Sequence, residues 1–184
     1  MDYFFFKANN KGQSLVETII AMSVITVGLL ACVSLITFTI SIQGHSRQEV
    51  IAVSLARESL EVIRNTRDSN WLENDETGST LWDQGIEGSP EDRVITVFDP
   101  NTNEWVLEPV SDINDSRCQI YFSEEDSLYL NNFPSGTPTS LRRLVTIKTI
   151  SDVQKQDSVK VQWQEKDNTR EITLDNDLYN WWKP

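Results

Sequence analysis

The chain has one histidine, two cysteines and seven glycines in 184 residues, and its first proline is Pro90. Each scarcity excludes something. A Ser-His-Asp relay or a histidine-based metal site needs partners around His45, and Ser46 alone does not supply them. His45 reads as a solvated residue, and no metal site is expected. Cys32 lies in an apolar run and Cys118 in a polar half, so no intramolecular disulfide is expected and the fold must be held by packing. No CxxC pair, glycine-rich phosphate loop or nucleophile elbow occurs, and no pair of carboxylates stands out from the general acidity. Nothing in these residues argues for an enzyme or a cofactor. Positive charge is also short: 16 Lys and Arg stand against 28 Asp and Glu, a net charge of −12. The first 68 residues balance, so the excess falls on residues 69–184. That acidity argues against a nucleic-acid partner, since phosphate binding needs a basic face. Its plain effect is to keep this part soluble.

Charge of either sign is missing from Thr18 to Gln43. A helix needs about 20 apolar residues to cross a hydrocarbon core about 30 Å thick, so the run is long enough to span. Glu17 stands at its leading edge, with Lys11 and Gly12 before it. Within it, Ser23, Gly28, Ala31, Ser34 and Ser41 are small enough for helices to approach closely in lipid. Three kinds of segment compete here. A secretory signal has an apolar region of about 7–15 residues followed by a small-residue cut; this run is longer, and Thr39 to Ser46 offers no such cut. A plain signal anchor is the second. The third is a leader cut before the run, which leaves the run on the mature chain.

The residues favour the third. Gly12-Gln13-Ser14-Leu15-Val16-Glu17 resembles the processing site of type IV pilins and related pseudopilins. In that family a short basic leader ends in glycine, a membrane-embedded prepilin peptidase cuts after it and methylates the new N-terminus, and the fifth mature residue is Glu. Here the resemblance implies a leader of residues 1–12, a cut between Gly12 and Gln13, and Glu17 as the assembly residue. Gln13 stands where many relatives have Phe or Met, and the leader carries an apolar patch, Tyr3 to Phe6. Lys7 and Lys11 lie on the expected cytoplasmic side. The chemistry fits the resemblance. Glycine lets the backbone extend into a peptidase site, and the cut frees an α-amine with a pKa of about 8. A carboxylate at mid-bilayer costs roughly 2.5–3.5 kcal/mol on insertion scales, less near the edge, so a partner is favoured. In the family, that partner is the N-terminal amine of a neighbouring subunit. Without a neighbour, Glu17 would simply snorkel to the interface.

Past Gly44 the pattern stays helical. Val50, Val53, Ala56, Leu60 and Ile63 recur at three- and four-residue spacing, with Ile51, Leu55 and Val62 widening the stripe. Arg57–Glu61 and Arg64–Asp68 are four apart. One helix is expected over residues 13–68, about 80 Å long at 1.5 Å per residue, of which about 18–43 would cross the membrane. Residues 69–184 then form a head. Ser69 to Pro90 reads as a long loop. Strand signals follow at Val94–Phe98, Trp105–Leu107, Gln119–Ser123, Ser127–Leu130, Leu144–Ile150, Ser158–Gln164 and Arg170–Leu174. Asp99-x-Asn101-x-Asn103 has the oxygen spacing that opens a calcium loop, but Glu104 stands where that loop needs glycine and Val110 where it needs a closing Glu. A hairpin turn is expected there instead. Trp71, Trp105 and Trp163 are expected in the core.

Leu55 to Glu58, Asn65 to Leu72 and the closing Tyr179-Asn180-Trp181 resemble minor pilins of the V type. The expected fold is therefore α+β and pilin-like, a long helix packed by its second half on an antiparallel sheet. The resemblance implies a minor subunit of a type IV pilus or related filament, with prepilin peptidase, other pilin subunits, the assembly platform and membrane lipid as partners. It would serve adhesion, twitching motility or DNA uptake. The alternatives are a pseudopilin of a type II secretion system and, from another class, a membrane-anchored binding module. The expected location is the cytoplasmic membrane with an extracytoplasmic head, then the pilus.

Overall fold

The structure, a computed structural model, describes residues 11–86, 91–99, 102–125, 127–131, 135–165 and 168–182; of the leader expected over residues 1–12, residues 1–10 lie outside them, as do the side chains of Gly12, Gln13 and His45. Helix α1 runs Lys11–Thr77. The chain divides into two compact units, Met1–Arg47 and Gln48–Pro184. In the first, the described helical residues include an apolar span, Ser14–Ile40, of 27 residues.

In the second unit, the part of α1 from Gln48 onward packs on a sheet. Its buried residues are Ala52, Leu55, Ala56, Ser59, Leu60, Val62, Ile63, Arg67, Asn70 and Trp71. The stripe is rotated from the expected one: Val50 is exposed, while Ala52 and Ser59 are fully buried. Small residues there let the helix backbone lie close to the sheet, and large ones at the flanks fill the space. The helix also outlasts its expected end at Asp68 by continuing to Thr77. Composition suggested a loop, but Asn70 and Trp71 are buried on the same stripe, and packing overrides weak local propensity. Gly78 ends the helix. Its φ of +67° is the left-handed conformation of a helix cap, and its N–H donates to the Asn74 carbonyl at 2.7 Å.

The sheet has seven antiparallel strands: β1 (Glu91–Asp99), β2 (Glu104–Pro109), β3 (Gln119–Ser123), β4 (Leu128–Asn131), β5 (Thr137–Ser151), β6 (Gln154–Glu165) and β7 (Asn168–Tyr179). All seven expected strands are present. The 15-residue β5 organises them. One edge pairs with β6 along its length; the other pairs with β3 near its start and with β1 near its end. Rows of side chains cross the strands, such as Val94, Val145, Val159 and Leu174, and meet the helix in one core. Burying each large apolar side chain there contributes roughly 1.5–3 kcal/mol. A smaller cluster of Ile95, Val110, Cys118 and Leu144 covers the other face.

Arg143 sits where β5 changes neighbours and is fully buried. It donates to Asn131 Oδ1 at 2.7 and 3.0 Å, the Leu55 carbonyl at 3.1 Å, Glu58 Oε1 at 3.0 Å and the Thr96 carbonyl at 3.3 Å. One guanidinium thus joins β4, β5, β1 and the helix. Beside it, the Ser59 and Thr96 hydroxyls meet at 3.0 Å. Burial pushes the Arg143 pKa down, and the Glu58 carboxylate opposes that shift.

Trp71 and Trp163 are buried as expected, but Trp105 is half-buried, tilted on Phe98 at 5.4 Å, because β2 is a sheet edge. Trp82 takes a core place instead. The calcium-like stretch is the β1–β2 connection. There Asn103, at φ +58°, donates its N–H to the Asp99 carbonyl, while Pro100 and Asn101 lie outside the described residues.

Candidate functional site

The structure places Gly12, Gln13 and Glu17 in the first turns of α1. From Leu15 to Ile40 every large apolar side chain is exposed, between 56% and 67%. A patch that size is untenable in water and marks a segment made for lipid or for other helices. Five of its hydroxyls are already satisfied. Thr18, Ser23, Thr26, Thr37 and Thr39 each donate to the carbonyl four residues back, at 2.5 to 3.1 Å. Such back-bonding lets a hydroxyl sit in hydrocarbon without an external partner. Glu17 differs. It is the only charged residue of the span, it is exposed, and it has no hydrogen-bond or ion-pair partner among the described residues.

The two parts of the V-type resemblance meet in the second unit. Asn70 donates to the carbonyls of Trp82 at 3.1 Å and Gln84 at 2.8 Å. The Trp71 indole N–H donates to Asn180 Oδ1 at 3.1 Å, and its ring meets Trp181 edge-on with centroids 4.9 Å apart. Arg67 stacks over the same ring at 4.4 Å. This cluster fastens the end of α1 to the residues after β7. Trp82 in turn donates to the Asp152 carbonyl at 3.2 Å, and the buried Lys155 ammonium reaches Asp83 at 3.1 Å. Gly85, at φ +77°, takes the third place of the turn closed by the Ile86 N–H on the Asp83 carbonyl. The stretch after the helix, expected as a long loop, is thus bonded to the helix end and to the β5–β6 turn.

Sequence reasoning missed Arg143, Lys155 and Asp157, charged residues on the core faces of β5 and β6. The available signal was register: Arg143 alternates with Leu141, Val145 and Ile147, and Lys155 and Asp157 continue the face of Val159, Val161 and Trp163. Both cysteines are free thiols, Cys32 exposed and Cys118 buried. Burial pushes the Cys118 thiol up to about 11, which makes it a poor nucleophile. No group of three or more His, Cys, Asp or Glu suited to a metal occurs among the described residues.

No curated protein and no solved structure matches the chain. One family model matches, the prokaryotic N-terminal methylation motif, over residues 7–33. The matched residues contain Gly12, Gln13, Glu17 and the exposed apolar span as far as Val33. Such motifs belong to structural rather than catalytic proteins. Residues 7–33 therefore carry the type IV prepilin signature.

Proposed function

We propose that the chain is a structural minor subunit of a type IV pilus or related filament. Residues 1–12 are the leader, residues 13–77 form the helix by which the subunit is held in the cytoplasmic membrane and later in the filament, and the residues beyond form an extracytoplasmic head. Cutting after Gly12 frees the amine of Gln13. In the filament that amine meets Glu17 of a neighbouring subunit, and the pairing sets the stagger between helices. The observation that carries this reading is the methylation motif leading into an apolar helix whose one charged side chain has no partner of its own. Moving a carboxylate into an apolar rod costs energy unless a cation meets it. The freed amine is the cation that processing makes available.

The test is Glu17→Ala, scored by membrane insertion, head folding and recovery in sheared filaments. Insertion and folding should be unchanged, because Glu17 has no hydrogen-bond or ion-pair partner among the described residues, while incorporation falls at least tenfold. Undiminished incorporation overturns the pairing. A chain that inserts but never enters a filament, with Glu17 intact, supports the membrane-anchored binding module instead.

A further inference from the structure

A carboxyl group lies buried where the helix crosses the sheet. Asp157, on the core face of β6, has no exposed surface. Its Oδ2 accepts one hydrogen bond, from Asn176 Nδ2 of β7 at 3.2 Å, and its Oδ1 has no partner among the described residues. A buried carboxylate so poorly satisfied is costly, and the neutral acid is much less so. The charged groups that face it are Arg64 and Arg67 from α1 and Asp177 from β7. On its own strand, Lys155 is held by Asp83 and Thr149.

Neither arginine is bonded to Asp157. Arg64 pairs with Glu61 and reaches Asn176 Oδ1 at 3.4 Å. Arg67 pairs with Asp68 at 2.8 Å while lying on Trp71. Arg67 is thus committed, whereas the Arg64 side chain is 40% exposed and has room to turn. Of its two partners, Glu61 is 65% exposed, and Asn176 also bonds Asp157.

We infer that Asp157, Asn176, Arg64 and Glu61 form a proton-operated switch between the helix and the β6–β7 pair. With Asp157 protonated, Arg64 stays on Glu61 and the carboxylic acid sits neutral beneath the helix. With Asp157 ionised, Arg64 leaves Glu61 and turns inward toward it. Burial pushes the Asp157 carboxyl up to about 6, against the pull of Asn176, Arg67 and Arg64. That value lies above the ordinary 3.8, so the folded head holds its proton more tightly than the unfolded chain does. Stability therefore falls as pH rises between the two values and levels off above about 6. The signal such a switch reads is mild acidity around the head.

The test is thermal unfolding of the full chain in a neutral detergent between pH 4 and 8, followed by tryptophan fluorescence, since all six tryptophans lie between Trp71 and Trp182. The unfolding temperature should step down with rising pH and level near pH 6, and Asp157→Asn should remove that step. His45 is kept in every variant, so a step it caused would survive. Glu61→Gln frees Arg64 for Asp157 and should move the step to lower pH; Arg64→Gln should move it higher. Both changes are at exposed positions and decide the matter even if Asp157→Asn does not fold. A step that survives Asp157→Asn, or that stays in place in both surface variants, overturns the switch.

Discussion

Replacing Arg143 with methionine removes a side chain that joins β5 to β4, β1 and the helix. The loss can be worked from its contacts. The bonds to Asn131 Oδ1 and to the Leu55 and Thr96 carbonyls are buried, and the Glu58 carboxylate is 37% exposed. Water can recover Glu58, so that pair contributes little, on the order of 0–1 kcal/mol. The Leu55 carbonyl lies within the helix and keeps its helical bond. Asn131 is the serious casualty. It is 3% exposed, its amide nitrogen still donates to the Arg117 and Cys118 carbonyls, and its oxygen would face the gap with no donor. An unsatisfied buried acceptor costs about 1–3 kcal/mol, and with the lost charge-assisted bonds the total is about 3–5 kcal/mol. For a domain whose whole stability is about 5–15 kcal/mol, that brings the head near unfolding. The assay is urea unfolding of the full chain in neutral detergent, read by tryptophan fluorescence. Arg143→Met with Asn131→Leu should recover more than half of the loss, because removing both partners leaves no orphan. A loss under about 1 kcal/mol in the single variant, or no recovery in the double, would refute the view that Arg143 is held by its acceptors.

Two further changes test the end of the helix. Asn70→Ala removes two bonds to the Trp82 and Gln84 carbonyls. It should cost roughly 1–3 kcal/mol and speed proteolysis at residues 78–86, whereas a change that leaves cleavage unaltered contradicts the docking described. Gly78→Ala should cost about 1 kcal/mol, from its positive φ alone because nothing lies within 4 Å of the added methyl, and Gly78→Asn should cost less; equal costs would show that the cap is not left-handed.

Much of this fold was legible because its signals are local. The uncharged run declared itself by length, and the seven strands by β-branched alternation and turn residues. What was missed depends on distant parts of the chain. The expected β6 began at Ser158 because Lys155 and Asp157 carry charge on positions that alternation reserves for apolar residues. Each sits there because something non-local meets it: Asp83 for Lys155, Asn176 for Asp157. Arg143 was invisible for the same reason, since its acceptors come from residues 55, 58, 96 and 131. The helix end was misjudged where Ser69 and Asn70 suggest a turn, although Arg67 and Trp71 continue the four-residue spacing of Ile63. The expected cut between Gly12 and Gln13 and the expected assembly role of Glu17 rest on resemblance alone. Their proposed partners, a peptidase and another copy's amine, are not encoded in any contact this chain makes with itself.

The whole functional reading turns on whether a new N-terminus is made. Intact-mass and N-terminal peptide spectrometry of the chain, isolated from membranes after co-expression with a prepilin peptidase, measures that. The mature chain should begin at Gln13, five residues counted inclusively to Glu17, and its appearance should require an active peptidase. A chain that still begins at Met1 in the presence of active peptidase, or one cut on the far side of the apolar span, contradicts it.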